Sequence, residues 1–136
     1  MKTHPPVVRL RVVIVDDNEM TRSVLRMMLQ ENDCDVIGEG TSGKSGLEVI
    51  LKTRPQLVFL DIMLPDCSGL ELLESIKNAL PSTTIVMVTA SNDAETIRTA
   101  LAGGASGFIL KPFSSKTVHD SIVKAVAGDR KPIAQP

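Results

Sequence analysis

The chain has no tryptophan, no tyrosine and only three phenylalanines, so any core must be built from Val, Ile, Leu, Met and Ala. Cysteine is equally scarce: Cys34 and Cys67 stand alone, which excludes a disulfide framework and gives no metal-ligand spacing. They read as reduced thiols of a cytoplasmic protein. No apolar run approaches the roughly 20 residues needed to cross a bilayer. The opening residues Met1–Pro6 lack the apolar stretch of a secretory signal. Charge of one sign is missing as well. Fifteen Lys and Arg against 16 Asp and Glu leave a net −1, which gives no bulk attraction to nucleic acid or to an anionic membrane. There is no internal repeat and no low-complexity segment.

What is present suits one domain. The 136 residues are 43% hydrophobic, enough to bury a single sizeable core and too many for a disordered chain. Apolar runs recur at Leu10–Val15, Val36–Ile37, Leu57–Leu60, Ile85–Val88 and Phe108–Leu110. Four show little polar alternation, as strands covered on both faces do. The short run at Val36, flanked by Asp35 and Glu39, suits an edge strand.

Helical spacing fills the gaps. Met20, Val24 and Met28, with Leu25 and Leu29 beside them, form one stripe, and Leu47, Ile50 and Leu51 a second. Ser68 and Glu71 make a capping-box pattern ahead of Leu72, Leu73 and Ile76, with Pro81 as the stop. Asn92 or Asp93 caps a helix carrying Ile97 and Leu101 that ends at Gly103–Gly104. Ser114 or Ser115 opens the last, with Val118, Ile122 and Val126 on one face and Gly128 at its end. Such alternation specifies a parallel sheet with helices on both faces, whose ligands bind at the carboxyl ends of the strands. The expected organisation is an N-terminal extension over 1–8, a domain over 9–127, and a tail or linker start over 128–136.

Polar residues stand directly after four of the runs: Asp16 and Asp17, then Asp61, Thr89 and Lys111. Each Asp alone would read as a turn or helix cap. Together, at one edge of one sheet, three carboxylates repel unless a cation sits among them. Mg²⁺ prefers such oxygen ligands and stabilises a transferring phosphoryl group. A carboxylate that it leaves free can attack phosphorus. Lys111 supplies a second cation and Thr89 a hydrogen-bond donor.

With those residues in view, the spans VVIVDDNEMTRSVLR, LVFLDIMLPDCSGLELL, IVMVTAS and GASGFILKPF resemble the receiver domain of two-component response regulators, over about residues 9–127. The resemblance implies a doubly wound α/β fold of flavodoxin-like type, with five parallel strands in the order 2-1-3-4-5 and five helices. It implies Asp61 as phosphoacceptor, and Mg²⁺ (or Mn²⁺) held by Asp16, Asp17, Asp61 and the backbone carbonyl of Met63. Thr89 and Lys111 are then the phosphoryl contacts, and the Lys111–Pro112 bond is cis. Phe108 occupies the switch position, although it also reads as a plain core side chain of the last strand. Met63 and Ser91 fall where the family tunes loss of the phosphoryl group. Met hydrogen-bonds an attacking water poorly and Ser91 is short, so a long-lived phosphorylated form is expected.

The implied partners are a sensor histidine kinase or phosphotransfer protein, and a downstream protein or output domain reached through the fourth helix, fifth strand and fifth helix. No direct contact with nucleic acid or membrane is implied. The chain is expected to be no enzyme in the ordinary sense, although it assists its own Mg²⁺-dependent phosphorylation and dephosphorylation. It reads either as a stand-alone regulator or as a receiver excised from a longer chain.

Rival readings remain at this stage. Gly38 to Ser45 satisfies G-x-x-x-x-G-K-[ST], the phosphate-cradling loop of nucleotide hydrolases. That reading leaves Asp16, Asp17, Thr89 and Lys111 without roles, and the bland account is a turn with Lys44 solvated. A phosphatase with an aspartate nucleophile uses D-x-D-x-[TV], whereas here the carboxylates are adjacent. A degenerate receiver binding partners without phosphorylation is a third, against which the acidic set is complete. His4, His119, Arg22 and Arg26 read as solvated, and Cys67 as a spectator near Asp61.

Overall fold

The computed structural model describes residues 9–129, so His4 and the N-terminal extension lie outside it, as does the tail from residue 130. Five strands alternate with five helices: β1 (Leu10–Val15), α1 (Glu19–Glu31), β2 (Cys34–Gly40), α2 (Gly43–Thr53), β3 (Leu57–Asp61), α3 (Gly69–Ala79), β4 (Thr84–Thr89), α4 (Ala94–Ala102), β5 (Gly107–Leu110) and α5 (Ser115–Asp129). All strand pairs are parallel and the order is β2-β1-β3-β4-β5, the doubly wound arrangement expected of the sequence.

Period-two geometry explains the unbroken apolar runs. Val12 and Ile14 of β1 point into a core shared with Leu25 and Leu29 of α1 and Val118 and Ile122 of α5. Val13 and Val15 point the other way, to Ile50 of α2, Leu72, Leu73 and Ile76 of α3, and Ala100 of α4. A central strand therefore needs an apolar residue at every position. Each such side chain contributes roughly 1.5–3 kcal/mol on full burial.

Several local expectations are corrected. β2 runs well beyond Val36–Ile37, because backbone pairing with β1 carries its polar residues too. β5 is not covered on both faces. It is the terminal strand, so Ile109 is buried against α5 while Phe108 is 39% exposed, which rules out a core role for that ring. Ser68 caps α3 alone, accepting from Leu70 N–H at 3.1 Å. The reciprocal capping box is found at α2, between Ser42 and Ser45. In α4 the small Ala100 faces the sheet and Leu101 is exposed. Ser114 caps α5 through Thr117 N–H at 3.2 Å, and the helix continues through Gly128 to Asp129.

Candidate functional site

The order of the sheet reverses between β1 and β3, and the crevice at their carboxyl ends is where such folds bind ligands. Val15 pairs with Leu60, so Asp16 and Asp61 follow side by side. Asp61 in turn pairs with Val88, and Thr89 with Leu110, which brings Thr89 and Lys111 to the same edge. Oxygens of Asp16, Asp17 and Asp61 lie within 4.8 Å of one another. Lys111 Nζ reaches across to Asp16 Oδ2 at 3.0 Å and Asp61 Oδ2 at 3.1 Å. Asp17, Asp61, Met63, Thr89 and Lys111 line an open cleft of about 400 Å³.

The electrostatics are unbalanced in a useful way. Asp16 and Asp61 are buried and Asp17 is exposed. Three carboxylates face a single ammonium among the described residues, and Lys111 reaches only one oxygen each of Asp16 and Asp61. Burial, then the charge of Asp16, pushes the Asp61 carboxyl above its ordinary value, with Lys111 opposing. Burial lowers the Lys111 ammonium, but its pairing with Asp16 and Asp61 outweighs this and holds it raised. This excess of negative charge, carried in part on buried oxygens, is what a hard, oxygen-seeking dication would offset. The donor set fits one.

The loops are held by specific contacts. Asp16 Oδ1 accepts from Asn18 N–H at 2.8 Å, and Asn18 in turn caps α1. Met63 N–H donates to Asp61 Oδ1 at 3.3 Å, and the Met63 side chain is 80% exposed. Gly69 is required at the start of α3, because a β-carbon there would overlap the Asp61 backbone. The Lys111–Pro112 bond is cis.

Not every polar or aromatic side chain singled out in the sequence is turned toward the carboxylates. The Thr89 hydroxyl donates to Ser91 O and accepts from Ser91 N–H, both at 3.1 Å, so it faces the β4–α4 loop. Ser91 Oγ accepts from Asp93 N–H at 3.2 Å, toward α4. Phe108 lies on the far side, in an open groove of about 660 Å³ bounded by β5, α5 and Leu101 of α4.

Sequence reasoning missed three residues. Arg22 is largely covered and Arg26 still partly exposed, but both pair with Glu39, Arg22 Nε at 3.1 Å and Arg26 Nε at 2.6 Å. Their spacing of four on α1 was a signal, but Glu39 lies on another element. Asp66 had no local signal at all. Its carboxylate, held below the usual range by backbone N–H groups, accepts from Gly43 N–H at 2.7 Å and Lys44 N–H at 3.0 Å. The nucleotide-loop pattern is thereby filled by the protein's own carboxylate, although Lys44 itself is exposed as expected. His119, also read as solvated, is exposed but has Asn32 Oδ1 2.7 Å from its Nδ1.

The comparisons with known proteins agree on one family. A family model described as the response regulator receiver domain matches residues 12–123. The response regulator protein VraR of Staphylococcus saprophyticus is 34% identical over 116 residues, covering 85% of this chain and 56% of that protein. VraR of Staphylococcus aureus is 32% identical over 121 residues, covering 88% and 58%. The chain thus spans a little over half the length of these curated relatives. A CheY-like receiver domain protein from Methanospirillum hungatei superposes with a TM-score of 0.84 at 27% identity, over 92% of this chain and 100% of that one. The signal receiver domain of NarL from Mycobacterium tuberculosis gives 0.82 at 26%, over 88% and 98%.

Proposed function

Because the chain belongs to the response regulator receiver family, we propose that Asp61 accepts a phosphoryl group in a Mg²⁺-dependent reaction and that this switches the α4–β5–α5 surface. The observation that carries this is the cluster itself: three carboxylates within 4.8 Å at the reversal of strand order, with one lysine bridging two of them. Mg²⁺, or Mn²⁺ in its place, would be held by Asp16, Asp17, Asp61 and the carbonyl of Met63, and would offset the negative charge of the cluster and of the equatorial phosphoryl oxygens.

The protein's own groups do the rest. An Asp61 oxygen attacks phosphorus, and an O–P bond forms as the donor's bond breaks. That bond is P–N in a phosphohistidine of a sensor kinase or phosphotransfer protein, and P–O in a small acyl phosphate. The bonding pair leaves with the donor. Lys111, already against Asp61, moves to a phosphoryl oxygen and keeps a charge-assisted hydrogen bond. The Thr89 hydroxyl exchanges Ser91 for another phosphoryl oxygen, which frees the β4–α4 loop. Phe108 lacks a hydroxyl, so its response is one of packing alone. A downstream protein or output domain reads the altered face.

The test is incubation with acetyl phosphate and Mg²⁺ followed by intact mass. Wild type gains one phosphoryl group, whereas Asp61→Asn, or a chelator with wild type, gives none. Label appearing on another residue would sink the assignment. Met63, exposed beside Asp61, sets the rate of loss: Met63→Asn shortens the lifetime several-fold in a decay assay, and an unchanged lifetime removes that role.

A further inference from the structure

The two metal-side carboxylates of β1 sit on a short loop, and the end of β2 grips that loop twice. Gly40 O accepts from Asp16 N–H at 3.0 Å. The preceding residue, Glu39, acts at one remove: its Oε1 accepts from Arg22 Nε at 3.1 Å, and Arg22 Nη1 donates to Asp16 O at 2.8 Å. Both polar groups of the Asp16 backbone are therefore tied to consecutive residues of one neighbouring strand. Arg26 completes the arrangement by holding both Glu39 oxygens, at 2.6 and 3.0 Å. The Arg22 side chain is only 14% exposed, unlike a solvated surface pair.

The carbonyl of Asp16 belongs to the peptide that joins it to Asp17. Fixing that plane fixes where the exposed Asp17 carboxylate is carried, since the peptide is rigid and only the flanking dihedrals are soft. We propose that Arg22 is a positioning residue, oriented by Glu39, whose grip on the Asp16 carbonyl sets the affinity of the carboxylate cluster for a divalent cation. This rests on the phosphoacceptor reading above and adds a determinant outside the ligand set. Partners that orient metal ligands from outside commonly change affinity by about 10- to 100-fold when removed.

Charge makes the test sharp. Arg22→Met removes a positive charge near a cation site, so through-space electrostatics alone predicts tighter binding; Glu39→Gln removes a negative charge and predicts weaker binding. A positioning role predicts that both weaken it. The probe is Mn²⁺ alone, titrated into the full chain and followed by the electron paramagnetic resonance of free Mn²⁺, with thermal melting in chelator as the control for folding. Both variants are expected to bind Mn²⁺ about tenfold more weakly. Both are also expected to regain the wild-type rate of labelling by acetyl phosphate at saturating metal, a rescue that general structural damage would not show. Shifts of opposite sign, or no shift in Glu39→Gln, overturn the proposal. Wild type failing to bind Mn²⁺ would instead overturn the underlying reading, so the two failures are distinguishable.

Discussion

The two margins of the sheet are built differently. At β2 the end strand is stitched to its neighbours: Glu39 carries two arginines of α1, and Gly40 accepts from the loop of β1. At β5 the end strand is four residues long, with Phe108 and Leu110 turned outward over an open groove. Both margins adjoin the same acidic cluster, β2 through Asp16 and β5 through Lys111. The difference teaches that the β2 margin is tied down by side chains of α1 while the β5 margin is free to change its packing, which is the division of labour the proposed function needs. Fixed ion pairs and buried contacts resist local opening, while an edge with few buried side chains does not.

The largest expected contrast is in stability. Leu25→Ala, beneath the β2 side, costs about 2–5 kcal/mol, whereas Phe108→Ala costs less than about 1 kcal/mol, both read by urea denaturation. Equal losses would break the contrast. Amide exchange is the next measure. On phosphorylation with acetyl phosphate and Mg²⁺, residues 94–110 change protection by about tenfold and residues 34–40 do not. A comparable change at β2 would mean that the switch is spread over the whole sheet.

The seam between the margins gives a smaller effect. Asp61 is an acid whose folded-state value is raised, chiefly by burial and by Asp16. The folded state therefore binds its proton more tightly, and metal-free stability falls as pH rises through that value, so at neutral pH the charged form carries the full cost. Asp61→Asn should melt roughly 2–5 °C higher than wild type in chelator, and lose that advantage as Mg²⁺ is added. The smallest effect concerns Glu39, held below its ordinary 4.5 chiefly by Arg26, against some burial, and by Arg22. Its contribution is present above 4.5 and is lost as pH falls through the lower folded value. Glu39→Gln should flatten the acid limb of the pH–stability curve, and an unchanged limb would show the ion pairs to be energetically idle.

The strands were legible because burial on two faces writes an unbroken apolar run, and the acidic cluster was legible because each member directly follows one. Asp16, Asp61 and Lys111 needed no long-range knowledge beyond the order of elements. The alternative reading of Phe108 as a core side chain failed because a terminal strand is covered on one face only, and a run of four residues is too short to display that alternation. Ser68–Glu71 looked like a reciprocal cap, yet the reciprocal cap formed at Ser42–Ser45, where two hydroxyls serve. The Arg22–Glu39 bridge and the reach of Asp66 to Gly43 were hidden for a common reason. Each joins side chains or backbone groups on separate elements, and no local period records such a meeting.

Asp66 has one consequence for how this scaffold can diverge. The span from Gly38 to Ser45 has the lettering of a nucleotide-binding turn, but its helix start is already plugged by an internal anion that is covalently part of the Asp61 loop. A lineage that recruited this turn for a triphosphate would first have to evict that carboxylate, and in doing so would unmoor the segment that leads from Asp61 to α3.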